Sequence, residues 1–188
     1  VSSPPVLLQS LPEIEAALWQ ELARATHDRH HAWRLAVLAT VDGDGADART
    51  VVLREADAGA RELRLFSDAR SPKLAQLLAH PQGTLVMWSP ARAWQLRLRV
   101  HLQAETDGLA VASRWAQLRQ SPAAQDYLSP RVPGAPIDAT VQQPDSDRGH
   151  FALLTAAVQR IDWLELGRHE QDHRRAIFDA AGGRWVAP

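Results

Sequence analysis

Residues 93–105 read Ala93-Trp94-Gln95-Leu96-Arg97-Leu98-Arg99-Val100-His101-Leu102-Gln103-Ala104-Glu105. Trp94, Leu96, Leu98, Val100 and Leu102 alternate with Gln95, Arg97, Arg99, His101 and Gln103. Successive side chains of an extended chain point to opposite faces. This stretch therefore lays an apolar row on a core and a polar row toward water, a partner or a ligand. Working outward, residues 83–89 form a second strand, and 62–67 a third with Leu63 and Leu65 on one face. Residues 34–40 and 48–54 flank Asp42-Gly43-Asp44-Gly45, whose residues tolerate the positive φ of a hairpin turn. Strand character resumes over 151–166, and 174–178 with 184–186 reads as a final hairpin around Ala181-Gly182-Gly183.

Helical periodicity is confined to three short stretches. Ser10 and Glu13 have capping-box spacing, and Ile14, Ala17, Leu18, Leu22 and Ala25 form an apolar stripe on a helix over about 11–27. Ser71-Pro72 reads as a cap and a first-turn proline, with Leu74, Leu77 and Leu78 expected on the buried side. Residues 109–120 read as the third helix. The stretch 121–149 holds five prolines and little periodicity, so it is read as a long loop. Strands joined by hairpins, with few helices, imply a mainly β fold, an antiparallel β-barrel with flanking helices. A parallel doubly wound sheet would require a crossover helix between most strands.

The chain of 188 residues fits one domain, and its 45% hydrophobic and 23% charged composition is that of a globular protein. Its formal net charge of −1 provides no global field for nucleic acid or an anionic membrane. No apolar run approaches the roughly 20 residues of a membrane-spanning helix. Cysteine is absent, which excludes disulfides and thiolate chemistry and suits a reducing compartment; a cytoplasmic protein without a signal peptide is expected.

Two histidine groups invite a metal reading. His169-Glu170-Gln171-Asp172-His173 fits H-E-x-x-H, but the following residues read as strand, which would not bring the two imidazoles together as one helical turn does. His27, Asp28, His30 and His31 close the first helix, where the macrodipole alone favours cations. No metal is expected at either. Glycine-rich dinucleotide loops, a Walker loop and G-x-S-x-G are missing from the chain.

The segment Arg49-Thr50-Val51-Val52-Leu53-Arg54, with Phe66-Ser67 and Ser71-Pro72-Lys73, gathers cations, hydroxyls and a helix start. A phosphate monoester is bound by such groups. Arg49 and Arg54 are an odd number of positions apart and face opposite sides of a regular strand unless a bulge intervenes. The plainer alternative is a set of solvated charges on edge strands.

These residues resemble the pyridoxamine 5′-phosphate oxidase-like flavoproteins, specifically their branch of small FMN-binding homologues. Residues 49–54 are similar to that family's R-x-V-L-L-K strand, and Phe66-Ser67 with Ser71-Pro72-Lys73 to its F-Y-T and S-R-K segment. Trp88 and Trp94-Gln95-Leu96-Arg97 resemble the strand pair ending in R-Q-V-R. Ile161-Asp162-Trp163, His173-Arg174-Arg175 and Trp185-Val186-Ala187-Pro188 resemble its C-terminal pattern. The resemblance implies a six-stranded antiparallel FMN-binding split barrel that pairs as a homodimer, with FMN at the subunit interface. It implies FMN contacts from Arg49, Thr50, Val51, Val52, Leu53, Phe66, Ser67 and Lys73, with Gln95 and Arg175 coming from the partner subunit. A small-molecule substrate would meet Arg54, Trp115, Arg119 and His173, and the activity implied is that of an oxidoreductase.

The departures lie in the substrate half. Leu164 stands at the family's tryptophan, Gln171 at its substrate-holding arginine, Ala123 at its serine and Arg54 at its lysine. Two further readings compete with an enzyme: a flavin carrier or sensor, and a nucleic-acid-binding barrel using Trp94, Arg97 and Arg99.

Overall fold

The computed structural model describes residues 9–43, 45–138, 149–167 and 172–188. Among the described residues are eight strands: β1 (Leu35–Asp42), β2 (Gly45–Asp57), β3 (Glu62–Asp68), β4 (Gln82–Ser89), β5 (Trp94–Glu105), β6 (Phe151–Glu165), β7 (Arg174–Asp179) and β8 (Gly182–Val186). The helices are α1 (Leu11–His27), α2 (Pro72–Ala79), α3 (Gly108–Leu118) and α4 (Gln125–Leu128). All strand pairings are antiparallel, in the order β3-β2-β1-β4-β5-β6-β7-β8, and β3 also pairs with β6. That extra pairing closes β1 to β6 into a six-stranded ring, and β7 and β8 extend it as a hairpin.

The ring can split because β6 is long. Its first half, 151–157, pairs with β3, while 161–165 pairs with β7; β5 runs along both halves. The inward row of β5 is buried throughout: Trp94, Leu96, Leu98, Val100 and Leu102. Ile14, Leu18 and Leu22 of α1 are buried in the same core. The capping box of α1 is formed: Ser10 Oγ accepts from the Glu13 N–H at 3.4 Å, and Glu13 Oε2 accepts from the Ser10 N–H at 3.1 Å. A second apolar cluster packs α3 and α4 on β6 through Val111, Trp115, Tyr127, Phe151 and Leu153.

Three expectations are corrected. Leu78 is 83% exposed, because α2 meets the barrel along Leu74 and Leu77, and Leu78 lies about 100° further around the helix. The loop beginning at Ser121 is partly helical, with a 3-10 turn at Pro122–Ala124 running into α4, fastened by Ala124 and Tyr127 on Phe151. Arg34 ends a 3-10 turn at Ala32–Arg34 instead of opening the strand. No helix among the described residues is long and apolar enough to cross a membrane.

Candidate functional site

The inward row of β2 ends in a charged residue. Val51 and Leu53 fill the barrel core, and Arg49, two positions back on the same face, reaches the polar rim. There its guanidinium donates to Thr40 Oγ1 at 2.5 Å, to Gln76 Oε1 at 2.9 Å and to the Asp47 carboxylate. Gln76 in turn donates to Asp47 at 2.9 Å and Asp42 at 3.1 Å. One turn earlier on α2, Lys73 Nζ donates to Ser67 Oγ at 2.9 Å and Ser71 Oγ at 2.6 Å. The Ser71 hydroxyl makes no cap bond to α2's own amides.

Electrostatics tie these groups together. Burial lowers the Lys73 ammonium below the usual lysine value, the Arg49 charge lowers it further, and Asp68 opposes both. Asp47 is held below the usual carboxylate value, chiefly by its bond from Gln76, with Arg49 helping to outweigh the opposing effect of burial. Lys73 has only hydroxyl partners and forms no ion pair among the described residues. A half-buried ammonium in that setting gains most from an incoming oxyanion. Arg49, Ser67 and Lys73 are therefore brought together as expected. Thr40, Asp47 and Gln76 escaped the sequence reading. The signal available for Gln76 was its i,i+3 spacing from Lys73 on one helix face.

The remaining FMN-contact expectations fall on two faces. Thr50 is exposed and Val52 half-buried on the outer side of β2, while Val51 and Leu53 turn inward and leave only their main chain to a ligand. Gln95 and Arg175 stand in register on either side of Leu164 across β5, β6 and β7. Arg175 forks onto Asp162 at 2.8 and 2.9 Å. Burial works to raise the Asp162 carboxyl; the Arg175 bonds, with Arg97 and Arg160 behind them, outweigh it and hold the group low. No hydrogen bond or ion pair connects Gln95 or Arg175 to the Arg49–Lys73 cluster among the described residues. Both lie on the outer sheet face that also carries Leu35, Val37 and Trp88.

The substrate-contact expectations scatter. A register shift does fall between Leu53 and Glu55, yet Arg54 stays opposite to Arg49, its guanidinium 5.4 Å from the Phe66 ring centre. Arg54 Nε is buried without a hydrogen-bond partner, as is Trp115 Nε1. Phe66 meets Phe151 edge-on at 5.0 Å, and Trp115 tilts against Phe151 at 5.7 Å inside the second apolar cluster. Burial raises the hydroxyl pKa of Tyr127 in that cluster, with Arg54 acting against it. Arg119 is exposed at the end of α3. His173 accepts from the Gly167 N–H at 2.9 Å and, with Arg175, Trp185 and Val186, lines a pocket of about 470 Å³.

His169, Glu170 and Gln171 of the H-E-x-x-H pattern lie outside the described residues. Of the second histidine group, His31 pairs with Glu21 at 2.9 Å and accepts from the Trp33 N–H, while Asp28 accepts from His30. Among the described residues no three His, Cys, Asp or Glu side chains are grouped to hold a metal. Trp94 is buried against Trp33 and Trp163, so it offers no face for base stacking and that element of the nucleic-acid reading is withdrawn.

The sequence profile described as pyridoxamine 5′-phosphate oxidase, FMN-binding domain, matches residues 16–105. A pyridoxine/pyridoxamine 5′-phosphate oxidase of Thermosynechococcus vestitus is 30% identical over 163 residues, covering 79% of this chain and 74% of that protein. One from Caulobacter vibrioides is 27% identical over 197 residues, covering 97% and 86%. Among solved structures, a pyridoxamine 5′-phosphate oxidase-related, FMN-binding protein of Nostoc punctiforme superposes with a TM-score of 0.72 at 22% identity, over 97% of this chain and 100% of that one. PhzG of Burkholderia lata, solved with tetrahydrophenazine-1-carboxylic acid, gives 0.68 at 13% identity over the whole of both chains. At these identities the two structures establish the shared fold.

Proposed function

The chain belongs to the pyridoxamine 5′-phosphate oxidase FMN-binding family, and on that premise we propose that it is an FMN-dependent oxidoreductase acting as a homodimer on a small molecule. The observation that carries this reading is the Arg49–Lys73 clamp. A guanidinium and an under-compensated ammonium share a rim with the Ser67 and Ser71 hydroxyls. Those groups would hold the FMN phosphate, Arg49 exchanging its Asp47 partner for the ligand. Thr50 and the main chain of 51–53 would flank the ring system, with Phe66 beside it. Gln95 would hydrogen-bond the ring's polar edge, and Arg175, oriented by Asp162, would offset negative charge there; both come from the second subunit.

The bound flavin would supply hydride acceptance, and the protein's part is orientation and electrostatics. Support for a paired state comes from the outer face of β1 and β4, where Leu35 is 55% exposed and Trp88 42%. These apolar side chains share rows with Gln95 and Arg175, so covering them with a second copy would seat the ring between subunits. A cysteine-free chain of this kind fits the cytoplasm.

A second reading, a flavin carrier or sensor, draws on the aromatic packing around Arg54 and Trp115. Flavin-free protein titrated with FMN and with riboflavin tests the clamp. FMN should bind at least about a hundredfold more tightly, the equivalent of one or two charge-assisted contacts. Lys73→Ala should erase most of that difference, and equal affinities in the unaltered protein would refute the assignment. Anaerobic reduction followed by mixing with oxygen, nicotinamide nucleotides or pyridoxine phosphates then separates enzyme from carrier.

A further inference from the structure

The outer face of β5 and β6 carries a concentration of positive charge, of which the flavin reading uses only Arg175. Thr84, Arg97, Arg99, Arg160, Asp162 and Arg175 line a pocket of about 350 Å³. Asp162 is buried at its base, forked by Arg175 and 3.7 Å from Arg97. Arg99 and Arg160 are direct cross-strand partners, a like-charge arrangement that weakens a sheet unless something anionic offsets it. Neither makes a hydrogen bond or a close ion pair among the described residues.

The register explains how they meet. β6 carries one extra residue, since Arg99 pairs with Arg160 while Val100 pairs with Val158. A bulge of this kind re-aims side chains, here into a shared concavity. Charge counting leaves an excess. Beyond Asp162, the other carboxylate felt by Arg160 is Asp179, already forked by Arg184 at 2.8 and 3.1 Å. Among the described residues lining the pocket, four guanidiniums thus face one carboxylate, in a chain whose overall formal charge is −1. The wider apolar groove beside α1 shows no such excess, because its Glu15 and Arg61 pair with each other.

We propose that this pocket is a second anion site, separate from the Arg49–Lys73 clamp, that takes a compact polyanion of the diphosphate type. Arg99 and Arg160 are its principal ligands, with Arg97 and Thr84 completing the donor set. Planar guanidiniums present paired N–H groups that match phosphate oxygens, and several around one concavity favour a ligand with more than one negative charge. The buried Asp162 carboxylate is already paired with Arg175, and a concavity of about 350 Å³ suits a compact ligand. The source of the diphosphate, free or carried by a nucleotide, is distinguished by comparing inorganic diphosphate with ADP.

The test is calorimetric titration of the full chain with inorganic diphosphate and with ADP. Saturable binding is expected, weakened about tenfold or more by Arg99→Ala and by Arg160→Ala, as loss of one charge-assisted contact requires. FMN held at saturation occupies the Arg49–Lys73 clamp, so the heats of diphosphate and ADP binding then report this pocket. Tighter binding of ADP assigns a nucleotide ligand, and equal binding assigns the free anion; either supports the site. Absence of binding, affinity unchanged in both variants, or displacement of the flavin by diphosphate would overturn it. So would tighter binding of a single-stranded oligonucleotide, or a change of oligomeric state in Arg99→Ala without anion binding. Because Arg49 and Lys73 stay intact in Arg99→Ala, FMN affinity in that variant separates failure of this site from failure of the flavin reading.

Discussion

Arg49 and Arg54 sit five residues apart on β2 and live in opposite surroundings. Arg49 faces the polar rim, bonded to a hydroxyl, an amide and a carboxylate, with Lys73 close enough to feel its charge. Arg54 lies over Phe66, and its Nε has no partner. The difference teaches how one strand serves two ends. Alternation sends the two cations to opposite faces, where one finds partners a ligand can replace and the other finds aromatic packing. On the proposed function, the phosphate of the cofactor is held at the first end. The second is built as a small core, in which Arg54 and Trp115 pack around Phe66 and Phe151.

The comparison breaks most readily on FMN affinity. Arg49→Ala combined with Lys73→Ala should weaken FMN about a thousandfold or more, from two charge-assisted contacts at about 1.5–3 kcal/mol each. Arg54→Ala should stay within about threefold, as flavin fluorescence on titration would reveal. Comparable losses in both would abolish the distinction between the two ends. Trp115→Ala addresses the aromatic end. Emptying its place beside Phe151 should cost about 3–5 kcal/mol in urea unfolding, with FMN affinity of the folded protein unchanged.

Smaller effects sharpen the picture at the polar end. Gln76→Ala removes the amide that bridges Thr40, Asp47 and Arg49, and should lower stability by about 1–3 kcal/mol in a thermal melt. The smallest effect is a pH dependence. Lys73 titrates lower in the folded protein than in the unfolded chain, so between those two values the unfolded state holds more protons and stability rises with pH. Below the folded value the penalty for keeping the ammonium charged is complete. Lys73→Met should flatten that rise, and a bound phosphate should move the Lys73 titration, followed by NMR at its side chain, back upward.

Much of this was legible in the sequence. The alternation of 93–105 fixes the inward row of β5, and the Ser10 and Glu13 spacing places the start of α1. Those features depend on neighbours within one element, where periodicity carries the information. The closure of β3 on β6 and the split use of β6 depend on pairings between distant residues, such as Leu65 with Leu154, and no local pattern encodes them. In the site, Arg49 and Lys73 stood out by charge. Gln76 did not, because a glutamine in a short helix reads as surface until the fold brings Asp42, Asp47 and Arg49 around it. Leu78 misled for the reverse reason: its spacing fits an apolar stripe wider than the face α2 presents to the barrel.

The claim beneath all of this is that one chain's cationic rim and its twin's outer sheet face share a flavin. Sedimentation of protein saturated with FMN, followed at once by flavin and protein absorbance, tests it directly. The account predicts flavin travelling with a species of twice the chain mass, at one flavin per chain, and lost from that species in Arg49→Ala combined with Lys73→Ala. Flavin that sediments with a single chain, or remains free beside a paired protein, would contradict it.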